Sequence, residues 1–70
     1  MRILITGAFG QIGTAVSRKL ETQFDVIRTG RNIPERQKGH LLDVRDKILV
    51  QNIIDVVAPD LIINLAALTN

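Results

Sequence analysis

The sequence has no cysteine, no tryptophan and no tyrosine, and its only aromatic residues are Phe9 and Phe24. Without cysteine there is neither a disulfide framework nor a thiolate zinc site, and the composition fits a reducing compartment. With two aromatics there is no set of stacking platforms for single-stranded nucleic acid. Nine Lys and Arg against seven Asp and Glu give a net charge of only +2. Arg28, Arg31, Arg36, Lys38, Arg45 and Lys47 are interleaved with acids rather than massed in a stripe, so no nucleic-acid partner is expected. His40 is the single histidine and stands apart from any cluster of carboxylates, which excludes the usual metal-ligand spacings. Long hydrophobic runs are also missing. The longest, Leu61 to Leu68, is broken by Asn64 and falls far short of a membrane span. Met1 leads directly into a strand-like run, with none of the charge and cleavage pattern of a secretory signal. The expectation is a soluble cytoplasmic protein with no membrane partner.

What remains is a globular composition, 46% hydrophobic and 23% charged, in 70 residues. That is one small domain at most, able to bury about 60% of its unfolded surface. The core must be built of Ile, Leu, Val and Ala. Arg2-Ile3-Leu4-Ile5-Thr6 is a nearly continuous apolar run, as in a strand covered on both faces. Gly7-Ala8-Phe9-Gly10-Gln11-Ile12-Gly13 follows at once with G-x-x-G-x-x-G spacing, and an amphipathic segment follows that. A short strand-to-helix turn aims the helix N-terminus, with its unpaired N–H groups and partial positive charge, above the strand end. A diphosphate suits such a site. Gly7 makes the tight turn, Gly10 lets backbone approach the phosphates, and Gly13 lets the helix pack closely on the strand. The glycines alone are a weak signal; their place between strand and helix makes them a dinucleotide signal.

Hydrophobic periodicity predicts a helix over Gln11 to Thr22 with Ile12, Ala15, Val16 and Leu20 on its buried face. A second strand covers Asp25 to Thr29, a polar loop covers Gly30 to Gly39, and a brief third strand covers His40 to Leu42. Asp46 is placed to cap a second helix, striped by Leu49, Val50, Ile53, Ile54 and Val57 and stopped by Pro59. Leu61 to Ala67 reads as the fourth strand. Alternating strands and helices imply a Rossmann-type, doubly wound α/β fold with a parallel sheet in the order 3-2-1-4, of which this chain carries the N-terminal portion. The two helices then fall on opposite faces, and the switch point between strands 1 and 4 lies above the glycine turn. Strand 4 is left with an open edge. The expected occupant of that edge is the remainder of a longer fold or a second chain.

Met1 to Gly13, together with Pro59-Asp60-Leu61-Ile62-Ile63-Asn64-Leu65-Ala66-Ala67-Leu68-Thr69, resembles the extended short-chain dehydrogenase/reductase superfamily. Within it the sequence is most similar to the dTDP-4-dehydrorhamnose reductase family, and Gln11 supports that choice because many epimerase and dehydratase relatives carry Phe or Tyr there. The resemblance implies that Gly7, Phe9, Gly10, Gln11 and Ile12 surround the cofactor diphosphate. It implies that Asp43 accepts from the adenine amino group with Val44 beside it, and that Ala66 and Ala67 pass close to the adenosine ribose and diphosphate. Leu68 follows them where relatives commonly carry His or Tyr. Asn64 matches the family's strand-4 Asn, with a structural role in tying backbone groups together.

Cofactor choice depends on the end of strand 2. NAD-preferring relatives place an acid there, about 20 residues beyond the glycine turn, to take the ribose hydroxyls. This chain has Gly30 and then Arg31. Loss of the acid removes repulsion toward a 2′-phosphate, and Arg31 offers a paired-donor contact to it. NADP(H) is therefore favoured, with NAD(H) as the alternative.

Catalysis in the superfamily uses a Y-x-x-x-K pair, and these 70 residues contain no tyrosine. No other nucleophile sits beside a base, and Thr69 comes too early to orient a carbonyl. The full-length protein is thus expected to be an NAD(P)-dependent oxidoreductase whose catalytic residues lie outside this sequence. Three readings stay open: part of a nucleotide-sugar reductase acting on a 4-keto-6-deoxy sugar nucleotide, the same part of an epimerase or dehydratase, and a non-catalytic dinucleotide-binding or regulatory module.

Overall fold

The computed structural model describes residues 1–66. The elements run β1 (Arg2–Thr6), α1 (Gln11–Leu20), β2 (Asp25–Gly30), β3 (His40–Leu41), α2 (Lys47–Val57) and β4 (Leu61–Asn64). All strand pairs are parallel and the sheet order is β3-β2-β1-β4. β1 is central, with Leu4 opposite Ile27 on one side and Ile62 on the other. Its continuous apolar sequence follows from that position: Ile3, Leu4 and Ile5 are all buried.

Alternation along β1 divides the interior in two. Ile3 and Ile5 join Ala8, with Val16 and Leu20 of α1, Phe24, Val26, Ile63 and Leu65 packed around them. Leu4 and Thr6 face the other way, toward Val50, Ile53 and Ile54 of α2. The helices therefore cover opposite faces, as the chain order requires.

The two helices pack differently. The buried residues of α1 are Gly13 and Ser17, with Val16 half-buried and Ile12 and Ala15 exposed. The expected stripe is thus rotated, because α1 lies so close to the β1–α1 turn that only small residues fit between them. A Cβ on Gly13 would overlap the Gly7 carbonyl oxygen and stand 2.7 Å from Ala8 Cα. α2 is capped by Asp46, whose carboxylate accepts from the Leu49 N–H at 3.1 Å. It ends where Ala58 turns into the left-handed region (φ 49°) ahead of Pro59, since a residue before proline is disfavoured in helical geometry. Between α2 and the sheet is a mainly apolar cavity of about 200 Å³.

The amino end of the sheet is tied by Arg2. Its N–H donates to Asp60 Oδ2 at 2.7 Å, its Nη1 donates to the Val57 carbonyl in the last turn of α2 at 2.6 Å, and its Nε meets Asp25 at 3.2 Å. A cation at a helix C-terminus is favourably placed against the helix dipole.

Candidate functional site

The opposite, carboxyl end of the sheet gathers four loops. Gly7 starts the turn after β1 at φ +64°, and a Cβ there would stand 2.7 Å from Leu65 C and O and from Ala66 N. Both its conformation and its contact with the loop after β4 therefore require glycine. The Ala8 N–H donates to the Thr29 carbonyl at 3.0 Å, fixing the turn to β2. The Thr29 hydroxyl, fully buried, donates to the Ile5 carbonyl at 2.9 Å. Beyond these anchors Gly10 is exposed, and a Cβ built on it would meet nothing nearer than the Gly7 carbonyl at 3.6 Å.

Gly10 is also the N-cap of α1, and among the described residues no side chain caps that helix. The contrast with α2 is informative, since α2 uses Asp46 for this purpose. The amino end of α1 thus presents uncapped N–H groups beside open glycine backbone, a cradle suited to a diphosphate. Gln11 and Ile12 form its first turn and are exposed, Ile12 to 70%.

At the end of β4, the Thr6 hydroxyl donates to Asn64 Oδ1 at 2.5 Å. The Ala66 N–H is shared between Asn64 Oδ1 at 3.3 Å and Thr6 Oγ1 at 3.4 Å. Asn64 thus ties the strand ends together, the structural role its position implied. Ala67 and Leu68 lie outside the described residues.

After β3, Leu42 is buried and its N–H donates to the Gly30 carbonyl at 2.8 Å. Asp43 follows and is gripped by Arg45. Its Oδ1 accepts from the Arg45 backbone N–H and Nε, each at 3.0 Å, and its Oδ2 accepts from Nη2 at 2.8 Å. These side-chain and backbone hydrogen bonds, helped by the positive charge of Arg31, hold the Asp43 carboxyl at about 2. Asp43 is therefore a fixed, ionised acceptor rather than a helix cap. Val44 beside it is half-buried and lines the α2 cavity. Arg31 is exposed at the start of the loop after β2, with no ion-pair partner among the described residues.

The structure thus brings Gly7, Phe9, Gly10, Gln11, Ile12, Arg31, Asp43, Val44 and Ala66 to one end of the sheet. Sequence reading passed over Arg45, whose only signal was its place two residues after Asp43. It also passed over Arg28, which stands over the Phe9 ring at 5.6 Å from the centroid. Among the described residues no three His, Cys, Asp or Glu side chains converge on a metal position, and no helix is long and apolar enough to cross a membrane.

An open parallel sheet with its glycine turn at the switch point defines the dinucleotide-binding N-terminal portion of an extended short-chain dehydrogenase/reductase. The chain belongs to the RmlD substrate binding domain family, whose family model matches residues 1–70. It is 34% identical to an uncharacterized epimerase/dehydratase of Staphylococcus saprophyticus, over 96% of this chain and 24% of that protein. Among solved structures it is similar to L-threonine dehydrogenase from Phytophthora infestans, with TM-score 0.85 and 26% identity over 99% of this chain and 24% of that one. It is also similar to the holo form of a GalE-like L-threonine dehydrogenase from Cupriavidus necator, with TM-score 0.86 and 25% identity over 99% of this chain and 25% of that one. The chain spans about a quarter of the length of the curated relative it matches. NAD(P) is the cofactor typical of the family, and the uncapped α1 terminus with its open glycine cradle fits the diphosphate of such a group.

Proposed function

We propose that residues 1–70 are the N-terminal part of an NAD(P)-binding domain and hold NADP(H) for a nucleotide-sugar reductase of the dTDP-4-dehydrorhamnose reductase kind. Catalytic and substrate-binding residues are supplied by chain outside them. The observation that carries the reading is the end of β2, where Gly30 and an exposed Arg31 stand in place of an acid. In this arrangement Gly7, Phe9, Gly10, Gln11 and Ile12 surround the diphosphate. Arg31 takes the 2′-phosphate. Asp43, oriented by Arg45, accepts from the adenine amino group with Val44 alongside. Ala66, with Ala67 and Leu68 beyond it, passes beside the ribose and diphosphate. The bound cofactor supplies the hydride; these residues bind and orient it.

Replacing Arg31 by Ala in the full-length protein should weaken NADPH by about tenfold or more and NADH far less, because only NADPH loses a charge-assisted pair. Equal losses would remove the assignment. The name of the Staphylococcus relative supports a second reading, an NAD-dependent epimerase or dehydratase. Such an enzyme recycles its cofactor, so tightly held NAD co-purifying with the full-length protein would favour it. Consumption of NADPH with a 4-keto-6-deoxy sugar nucleotide would favour the reductase, and oxidation of L-threonine would move the protein to the dehydrogenases that share its fold.

A further inference from the structure

The side chain of Phe9 reaches out of the glycine turn and lies across the carboxyl end of β2. A Cβ added at Gly30 would stand 3.0 Å from its Cδ2. One added at Gly39 would stand 2.5 Å from its Cζ and 2.9 Å from its Cε2. Gly7 is the only glycine with positive φ among the described residues, so neither Gly30 nor Gly39 is required by backbone conformation. At Gly39 the Arg28 carbonyl, 2.8 Å from the same Cβ, is a second obstruction. At Gly30 the ring is the only tight neighbour among the described residues, since the next residue's nearest atom, the Asn32 carbonyl oxygen, is 3.5 Å away. One edge of the Phe9 ring therefore crowds the position that a Cβ at residue 30 would take.

The face of that ring carries the Arg28 guanidinium, 5.6 Å from the centroid, within cation–π range. Arg28 is half-buried and makes no ion pair among the described residues. A cation–π contact with the ring takes none of the guanidinium N–H donors as a conventional hydrogen bond, so they remain available to an anion.

We propose that Phe9, Gly30 and Arg28 act as one specificity device, in which the ring takes the space an acid at position 30 would need and presents Arg28 as a second cation, beside Arg31, for a phosphate monoester on the adenosine ribose. The proposal rests on the NADP(H) reading above and deepens it. It makes cofactor choice a property of three residues from two elements, with Gly30 set by Phe9. It also predicts that position 30 cannot be converted alone.

The test uses the full-length protein with 2′,5′-ADP and 5′-AMP as probes, which differ only in the 2′-phosphate on the ribose, and reads affinities by calorimetry. Arg28→Gln, which keeps a stem against the ring, should weaken 2′,5′-ADP by about tenfold and leave 5′-AMP unchanged. Phe9→Leu should lower the ratio of 2′,5′-ADP to 5′-AMP affinity when Arg28 is present and leave that ratio unchanged when Arg28→Gln is already in place. Gly30→Asp alone should leave NADH binding no stronger, whereas Phe9→Ala with Gly30→Asp should strengthen it. If Arg28→Gln leaves the ratio of the two probe affinities untouched while Arg31→Ala lowers it, this proposal fails and the NADP(H) reading stands. A wild-type protein with no preference for 2′,5′-ADP overturns both. Stronger NADH binding by Gly30→Asp with Phe9 in place overturns the steric half. Arg28→Gln decides the electrostatic half even if the Phe9 variants do not fold.

Discussion

Ser17 and Asp43 show how far single residues were readable. Ser17 is an ordinary polar residue by composition, yet it is fully buried on α1 and its hydroxyl has no hydrogen-bond partner among the described residues. A buried, unpaired hydroxyl costs about 1–3 kcal/mol of desolvation, and alanine is also the better helix former. Ser17→Ala should therefore raise stability by about 1 kcal/mol in urea unfolding, and a loss would show that the hydroxyl has a use. Asp43 was legible as a ligand candidate because Asp46 is the better cap, and the hydrogen bond from Leu49 shows Asp46 in that role. What could not be read was Arg45, since a pair two residues apart meets only in a particular turn. Its grip lowers the Asp43 carboxyl from 3.8 to about 2. A carboxyl depressed on folding adds stability above its unfolded pKa, and the contribution is lost as pH falls through its folded value. The stability difference between the native sequence and Arg45→Ala should thus be full above about pH 4 and shrink toward zero near pH 2. A difference that is flat across this window would mean that Asp43 is not the group involved.

At the scale of elements, chain order, helix capping and sheet order were all legible, because each follows from alternation of apolar segments and from the handedness of crossovers. The face of α1 was not. Hydrophobic periodicity finds the side chains that want burial, but α1 is held so near the turn that Gly13 and Ser17 occupy the contact and Ile12 is turned out. Close approach is written in small residues, which carry almost no hydropathy signal. The end of α2 likewise follows Pro59, although the chain reaches it through a strained Ala58 at φ 49°. An L-residue in that region costs roughly 1–2 kcal/mol, which glycine avoids while adding some unfolded-state entropy. Ala58→Gly should accordingly stabilise the chain by about 0.5–1 kcal/mol. A thermal midpoint that does not rise would show that Ala58 sits in its conformation without strain.

The molecule as a whole is unevenly consolidated about its sheet. On one face α1 presses directly onto β1 and β2, and Arg28, Phe9 and the glycine turn are built on that side. On the other, Val57 is the one buried α2 residue among the described residues, a half-open cavity of about 200 Å³ lies between α2 and the sheet, and Ile48 and Val56 stand at 76% and 78% exposure. Leu61 and Ile62 of the edge strand are exposed as well. Exposed apolar residues on α2 and along the edge strand mark a surface that another part of a protein covers, and these relatives are about four times the length of this chain. The cofactor cradle depends on the tight face, since Gly7, Gly10 and Thr29 are anchored through β1 and β2, while Asp43 and Val44 hang between β3 and the loose helix. Amide exchange reports such local opening. In the 70-residue chain, protection should be greatest in β1 and α1 and clearly lower in α2. In the full-length protein, α2 and β4 should gain protection while β1 changes little, and bound NADPH should further slow the loop around Asp43. Equal protection of the two helices in the 70-residue chain would refute the uneven packing, and an α2 unprotected in the full-length protein would refute the covering of its apolar face.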